Sequence, residues 1–325
     1  MSERPDSGGA RSLWGALTLL GGALLSVQSR MNGELSVVFG HSLTAALWSF
    51  GSGFVLLTVG LAVSSSMRGG LRSLLAALRH NELRWFQCLG GLLGAVLVAA
   101  QSYSVPLVGV ALFTIATVGG QTLSGVLVDR LGVGPAGPVA VTTGRVVSAG
   151  LAVVGVAVAV GGRISGASTD VVLPVVLCIV AGMLAAVQQG LNGRVNVATR
   201  VPLSTTWLNF AFGTVLLLVL AIPTALGGSG ALPVSADAPW WAWWGGLLGI
   251  LIVAITAVAV RYLGILLVLL LMLVGQLAMA VVLDAANPAT RNLVTPVVLV
   301  GLVVTLAAAT LAALSAGRGR RHTGS

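Results

Sequence analysis

The sequence predicts an all-α integral membrane protein: ten transmembrane helices arranged as two inverted five-helix repeats. Three observations predict it. The 325-residue chain is 57% hydrophobic and 8% charged, with a mean hydropathy of +1.03, whereas a soluble domain carries roughly 25% charged residues. Apolar runs of spanning length, about 17–25 residues each, recur ten times. The pattern of the first five runs then returns, in order, in the second five.

Each run is expected to be a helix, because in hydrocarbon every backbone N–H and C=O must bond within its own segment. The runs lie near 13–31, 43–64, 86–104, 107–128, 139–161, 171–191, 203–222, 240–260, 262–284 and 293–315. They group into a first repeat over 13–161 and a second over 171–315, joined by an extracytoplasmic linker at 162–170. The tails 1–12 and 316–325 are polar, the second basic, and both are expected to be disordered. Arginines precede the first run, as they would a cleaved signal. Its match to the sixth run marks it as a structural helix instead.

Arginine decides the orientation. All 17 basic residues are arginine. With the N-terminus inside, fourteen fall on the cytoplasmic side and only Arg30, Arg163 and Arg291 outside. The positive-inside rule then places both termini and the 65–84 loop in the cytoplasm, with 162–170 and 223–239 outside. The net charge of +9 therefore reports membrane orientation and gives no reason to expect a nucleic-acid partner. Within 65–84, Leu71, Leu74, Leu75 and Leu78 share a helical face opposite arginines, which predicts an amphipathic helix on the inner membrane surface. Cys88 and Cys178 lie singly in separate runs and read as small core residues.

A shift of 160 residues lays 22–57 on 182–217 with 13 identities in 36 positions, so that "VQSRMNGEL" meets "VQQGLNGRV". Gly22, Gln28, Asn32, Gly33, Phe50 and Gly53 fall on Gly182, Gln188, Asn192, Gly193, Phe210 and Gly213. A shift of 155 aligns "WFQCLGGLLG" with "WWAWWGGLLG" and pairs Gly109 with Gly264, Gln121 with Gln276, and Asp129 with Asp284. A shift of 146 pairs Arg145 with Arg291. Five crossings are an odd number, so the second copy must enter the membrane from the opposite side. Inverted repeats of this kind build secondary transporters whose substrate sites lie between the copies.

The polar residues inside this pattern are the candidate site. Asn-Gly is a common left-handed helix terminus, so Asn32–Gly33 and Asn192–Gly193 are expected to cap helix ends, with lining of a substrate site the alternative. Gln28 and Gln188 sit a turn deeper, where interhelical hydrogen bonding and cavity lining are equally compatible. Under inversion Gln28 lies at the depth of Gln276 and Gln188 at that of Gln121, which predicts two gates, each with a glutamine pair. Gln101 and Tyr103 add hydrogen-bonding capacity, and Phe50 and Phe210 read first as lipid- or core-packing residues, with a wall for an aromatic or apolar cargo the alternative. Asp129 and Asp284 read first as solvated helix-end carboxylates, with coupling a secondary role. Arg145 and Arg291 are expected to snorkel to headgroups. No Asp, Glu, His or Lys occupies the middle of a run.

The ten helices in five-plus-five order resemble the drug/metabolite transporter superfamily. The doubled Q-x-x-x-N-G, the "GGLLG" after tryptophans and the G-Q followed eight residues later by Asp are similar to its YdcZ-type group of inner-membrane exporters. That group includes single five-helix copies and fused ten-helix chains, and this sequence resembles the fused form over roughly 13–315. The resemblance implies the fold and a place in the bacterial inner membrane; it says little about cargo.

The sequence-level reading is a secondary transporter that exports small metabolites or lipophilic compounds by alternating access. Its expected partners are a small-molecule substrate and membrane lipid, and homodimer formation is left open. No cofactor or metal is expected, and the chain lacks G-x-x-x-x-G-K-[ST]. A non-transporting membrane scaffold is the alternative. A polytopic enzyme is disfavoured, because His41, His80, His322 and the carboxylates do not gather in sequence.

Overall fold

The computed structural model describes residues 7–164, 171–226 and 238–322. Ten α-helices follow one another: α1 (Ser7–Phe39), α2 (Ser42–Val63), α3 (Ser65–Arg79), α4 (Gly90–Arg130), α5 (Thr143–Ile164), α6 (Val172–Thr199), α7 (Pro202–Leu226), α8 (Gly245–Leu263), α9 (Ile265–Ala286) and α10 (Pro296–His322). Among the described residues there is no strand, and nine helical stretches are long and apolar enough to cross a membrane. The protein is a multi-pass helical membrane protein.

Local chemistry sets the breaks between helices. α1 ends at Gly40, whose φ of +63° is a left-handed turn, a conformation that costs glycine little. Ser64 caps α3 by accepting a hydrogen bond from Met67 N–H at 3.3 Å, satisfying one of the unpaired amides of a first turn. Pro202 and Pro296 open α7 and α10, where a missing N–H costs nothing.

The longest apolar stretch, Trp85–Arg130, has 46 residues and is broken at Gly109 (φ 81°, ψ 166°). Gly94 and Val128 both lie against the 188–190 segment of α6, although a straight helix would separate them by roughly 50 Å. α4 therefore doubles back, and its two legs take the places of the third and fourth expected runs. Gly264, with φ 77° and ψ 158°, makes the matching break between α8 and α9. Without a side chain, each glycine adopts a φ that other residues resist.

Helix packing runs through glycine. A β-carbon at Gly22 would collide with the Met272 carbonyl, and one at Gly275 with the Leu19 carbonyl, where α1 crosses α9. Gly182 meets Thr117 and Gly120 meets Ile179 in the same way, where α6 crosses the second leg of α4. Small residues let backbones approach this closely, which supplies the dispersion contact that lipid alone does not favour.

Several boundaries differ from the sequence expectations. α1 begins at Ser7 and α10 continues to His322, so 7–12 and 316–322 are helical where disordered tails were expected. α5 likewise runs to Ile164, into the expected linker. Residues 165–170, most of the 223–239 loop, and the extreme ends 1–6 and 323–325 lie outside the described residues. α3 is amphipathic as expected, but its apolar face packs on protein. Leu74 and Ala77 are buried beside Leu83, Cys88 and Val195, with Leu71 and Leu78 alongside, while Leu75 is exposed. The Ser204 hydroxyl donates to the Met67 carbonyl at 2.9 Å and ties α3 to α7.

Candidate functional site

α2 and α7 cross through a reciprocal contact. The rings of Phe50 and Phe210 lie 5.1 Å apart, centroid to centroid. A β-carbon at Gly53 would strike the Phe210 ring, and one at Gly213 would strike the Phe50 ring. Each aromatic side chain thus fills the notch left by the other helix's glycine. Around this crossing stand two polar clusters built from the repeated motif.

The first cluster is buried. Asn32 Nδ2 donates to Gln101 Oε1 at 2.8 Å, Gln101 Nε2 donates to the Ser29 hydroxyl, and Ser29 Oγ donates to the Leu25 carbonyl at 2.9 Å. The chain of donors runs in one direction and ties α1 to the first leg of α4. Asn32 Oδ1 is left without a partner among the described residues. Gln28 Nε2 turns the other way and donates to the Gly245 carbonyl of α8 at 2.8 Å.

The second cluster is more open. Asn209 Nδ2 donates to Asn192 Oδ1 at 3.0 Å and to the Thr205 carbonyl at 2.9 Å. Gln188 Nε2 reaches Asn209 Oδ1 at 3.4 Å. Gln188 and Asn192 are half-buried. Asn209 carries this cluster and was not singled out from sequence. It falls on Ser49 in the first repeat, so the doubled motif did not point to it. An amide within a turn of Phe210 on an apolar helix was the available signal.

The glutamine partnerships differ from the expected pairs. Gln28 bonds Gly245 where Gln276 was expected, and Gln188 bonds Asn209 where Gln121 was expected. Gln276 contributes its backbone carbonyl, which accepts from Ser26 Oγ at 2.6 Å. Gln121 and Gln276 are half-buried next to the glycines of the tight crossings. Tyr103 is 38% exposed and takes no part in the Gln101 cluster's hydrogen bonds among the described residues.

Three further expectations are corrected. Asn32–Gly33 and Asn192–Gly193 do not cap helices: α1 and α6 continue past them, and the left-handed termini fall at Gly40 and Arg200. The asparagine amides instead bond other helices, which a position inside a helix requires once the group is buried. Asp284 is not solvated. Its carboxylate is buried and accepts from Val110 N–H at 2.9 Å and Ala111 N–H at 2.7 Å, the first amides after the Gly109 break. Arg145 is buried too and pairs with Asp129 at 3.0 Å, where a snorkelling side chain was expected.

The structure is an apolar membrane-spanning bundle with backbone-tight crossings between its halves, two glycine corners and one amide cluster within each half. The family model described as "Putative inner membrane exporter, YdcZ" matches residues 13–158 and 173–311. The chain belongs to this family. No curated protein matches the chain, and no solved structure does.

Proposed function

We propose that the protein is a secondary exporter of small, neutral or lipophilic metabolites, working by alternating access between two inverted five-helix repeats. One observation carries the reading. The crossing of α1 with α9 recurs as that of α6 with the second leg of α4, residue for residue: Gly22 on Met272 and Gly275 on Leu19, against Gly182 on Thr117 and Gly120 on Ile179. The sequence shifts of 160 and 155 relate these positions exchanged between halves, as a two-fold axis would. Two copies so related have two nearly equivalent arrangements, one open to each side.

The candidate cargo contacts are amides and aromatic rings, which favour a neutral cargo. An amide can bond a polar group without the cost of placing a charge in the membrane, ~2.5–3.5 kcal/mol at the bilayer centre on insertion scales. Gln28, Gln188, Asn192, Asn209, Phe50 and Phe210 are the residues assigned to this path.

The arginine distribution supports cytoplasmic termini in the inner membrane. Reporter fusions at Gly317 and Gly166 are expected to give opposite readings; the same reading at both defeats the inverted model. The transport test is uptake into proteoliposomes across a panel of neutral, cationic and anionic metabolites, with and without a pH gradient. Neutral or lipophilic compounds are expected to move. Movement of charged compounds alone, or of none, rejects the assignment.

A further inference from the structure

The two glycine corners have the same backbone shape and different surroundings. At Gly109 a β-carbon would lie 2.6 Å from Asp284 Oδ2, and that carboxylate caps Val110 and Ala111. At Gly264 a β-carbon would meet nothing within 4 Å among the described residues. Asp129 stands to Gly264 in sequence as Asp284 stands to Gly109, yet it is half-exposed and bound to Arg145. The arginines differ in the complementary sense. Arg145 is buried with Nη1 unpartnered among the described residues, whereas Arg291 is exposed.

We propose that Asp129 is the second of two exchanging latches. This rests on the alternating-access reading. In the opposite state Asp129 leaves Arg145 and caps the first amides of α9 beyond Gly264, while Asp284 releases Val110 and Ala111. The opening amides of a helix have no partner inside it, and its N-terminus favours a carboxylate. Each corner therefore offers the same seat to its own aspartate. A buried guanidinium with one nitrogen unsatisfied is a costly arrangement, and release of Arg145 to solvent on the exchange relieves it. Arg291 occupies that released position at the corner where the latch is closed.

The conventional account of Asp129 and Arg145 is a structural ion pair, in which loss of either partner has the same effect. The latch requires different effects: a shift for Arg145→Gln and none for Asp129→Asn. Spin labels at Leu131 and Tyr262, both exposed, measure the Asp129 corner; labels at Leu107 and Ala289, also exposed, measure the Asp284 corner. Cys88 and Cys178 are replaced by alanine and the full chain is held in lipid nanodiscs. Arg145→Gln frees Asp129, so the Leu131–Tyr262 distance is expected to shorten by about 5 Å, the scale of a one-turn shift, as Leu107–Ala289 lengthens. Asp129→Asn is expected to leave both distances as in the unsubstituted protein and to slow transport. Asp284→Asn is expected to move both distances as Arg145→Gln does, and adding Asp129→Asn to it to cancel the shortening.

Equal responses to Arg145→Gln and Asp129→Asn overturn the latch, as does lengthening at one corner without shortening at the other. If Arg145→Gln does not fold, Asp284→Asn decides by the same distances. Latch failure with transport intact leaves alternating access standing. Absence of transport in the unsubstituted protein removes both.

Discussion

α1 and α6 carry the same Q-x-x-x-N-G motif, yet their asparagines live in different surroundings. Asn32 is fully buried and held by Gln101 from the first leg of α4. Asn192 is half-buried and held by Asn209 from α7. The residue matching Gln101 in the second half is Thr256, whose hydroxyl bonds back to the Ile252 and Val253 carbonyls of its own helix. One motif therefore serves two networks, and the third helix chooses which. A repeat preserves where a polar group stands, while its partner depends on what the neighbouring helix presents there.

Four pairs of substitutions test this comparison, beginning where the halves should agree. Gly22→Val and Gly182→Val both drive a branched side chain into a backbone carbonyl of the crossing helix. Backbone cannot yield as a side chain can, so both should exceed the ~1–3 kcal/mol usual for overpacking. Neither variant is expected to give a monodisperse peak in size-exclusion chromatography. Tolerance of one but not the other would show that the two crossings are not equivalent.

Where the halves differ, removing a partner should cost unequally. Gln101→Ala strips the buried Asn32 amide of its remaining bond, and an unsatisfied buried group costs ~1–3 kcal/mol. Asn209→Ala removes the partner of an amide that is only half-buried. The melting temperature in detergent should fall clearly more for Gln101→Ala. A larger fall for Asn209→Ala would reverse the ranking of the two clusters.

Gly245→Ala and Gly90→Ala sharpen the point. The new methyl meets Asn32 Oδ1 at 2.8 Å in the first and comes closer still to Asn192 Oδ1 in the second. Distance alone ranks Gly90→Ala as worse. Freedom to move ranks it as milder, because Asn192 can shift and Asn32 cannot. Gly245→Ala is expected to cost about 1 kcal/mol or more, and Gly90→Ala less, by thermal denaturation.

The smallest effect on stability, and the most informative about function, comes from glutamine. Gln28→Leu and Gln188→Leu should both insert normally, because leucine suits the bilayer. Transport should slow more for Gln28→Leu, which loses a 2.8 Å bond to α8, than for Gln188→Leu, which loses a 3.4 Å contact. Unchanged uptake rates in both would remove the glutamines from the cargo path.

The sequence by itself determined the helices, the amphipathic pattern of α3 and the family. Apolar length and the need to satisfy every backbone group in lipid are local constraints, so ten runs could be read without knowing any contact. The pairing of Gly109 with Gly264 was also legible, because a glycine that must adopt positive φ leaves a mark at a fixed place in each copy. Tertiary structure alone decided which groups those helices hold. Asn-Gly suggested a helix end because that is its usual local preference, but α1 and α6 run on past it, and each asparagine amide binds a neighbouring helix. Asp284 looked solvated because it ends a hydrophobic run; only the fold of α4 at Gly109 brings two free amides to it across 174 residues of chain. Helix rotation and depth set such partnerships, and both follow from packing among several helices at once, which no single stretch of sequence contains.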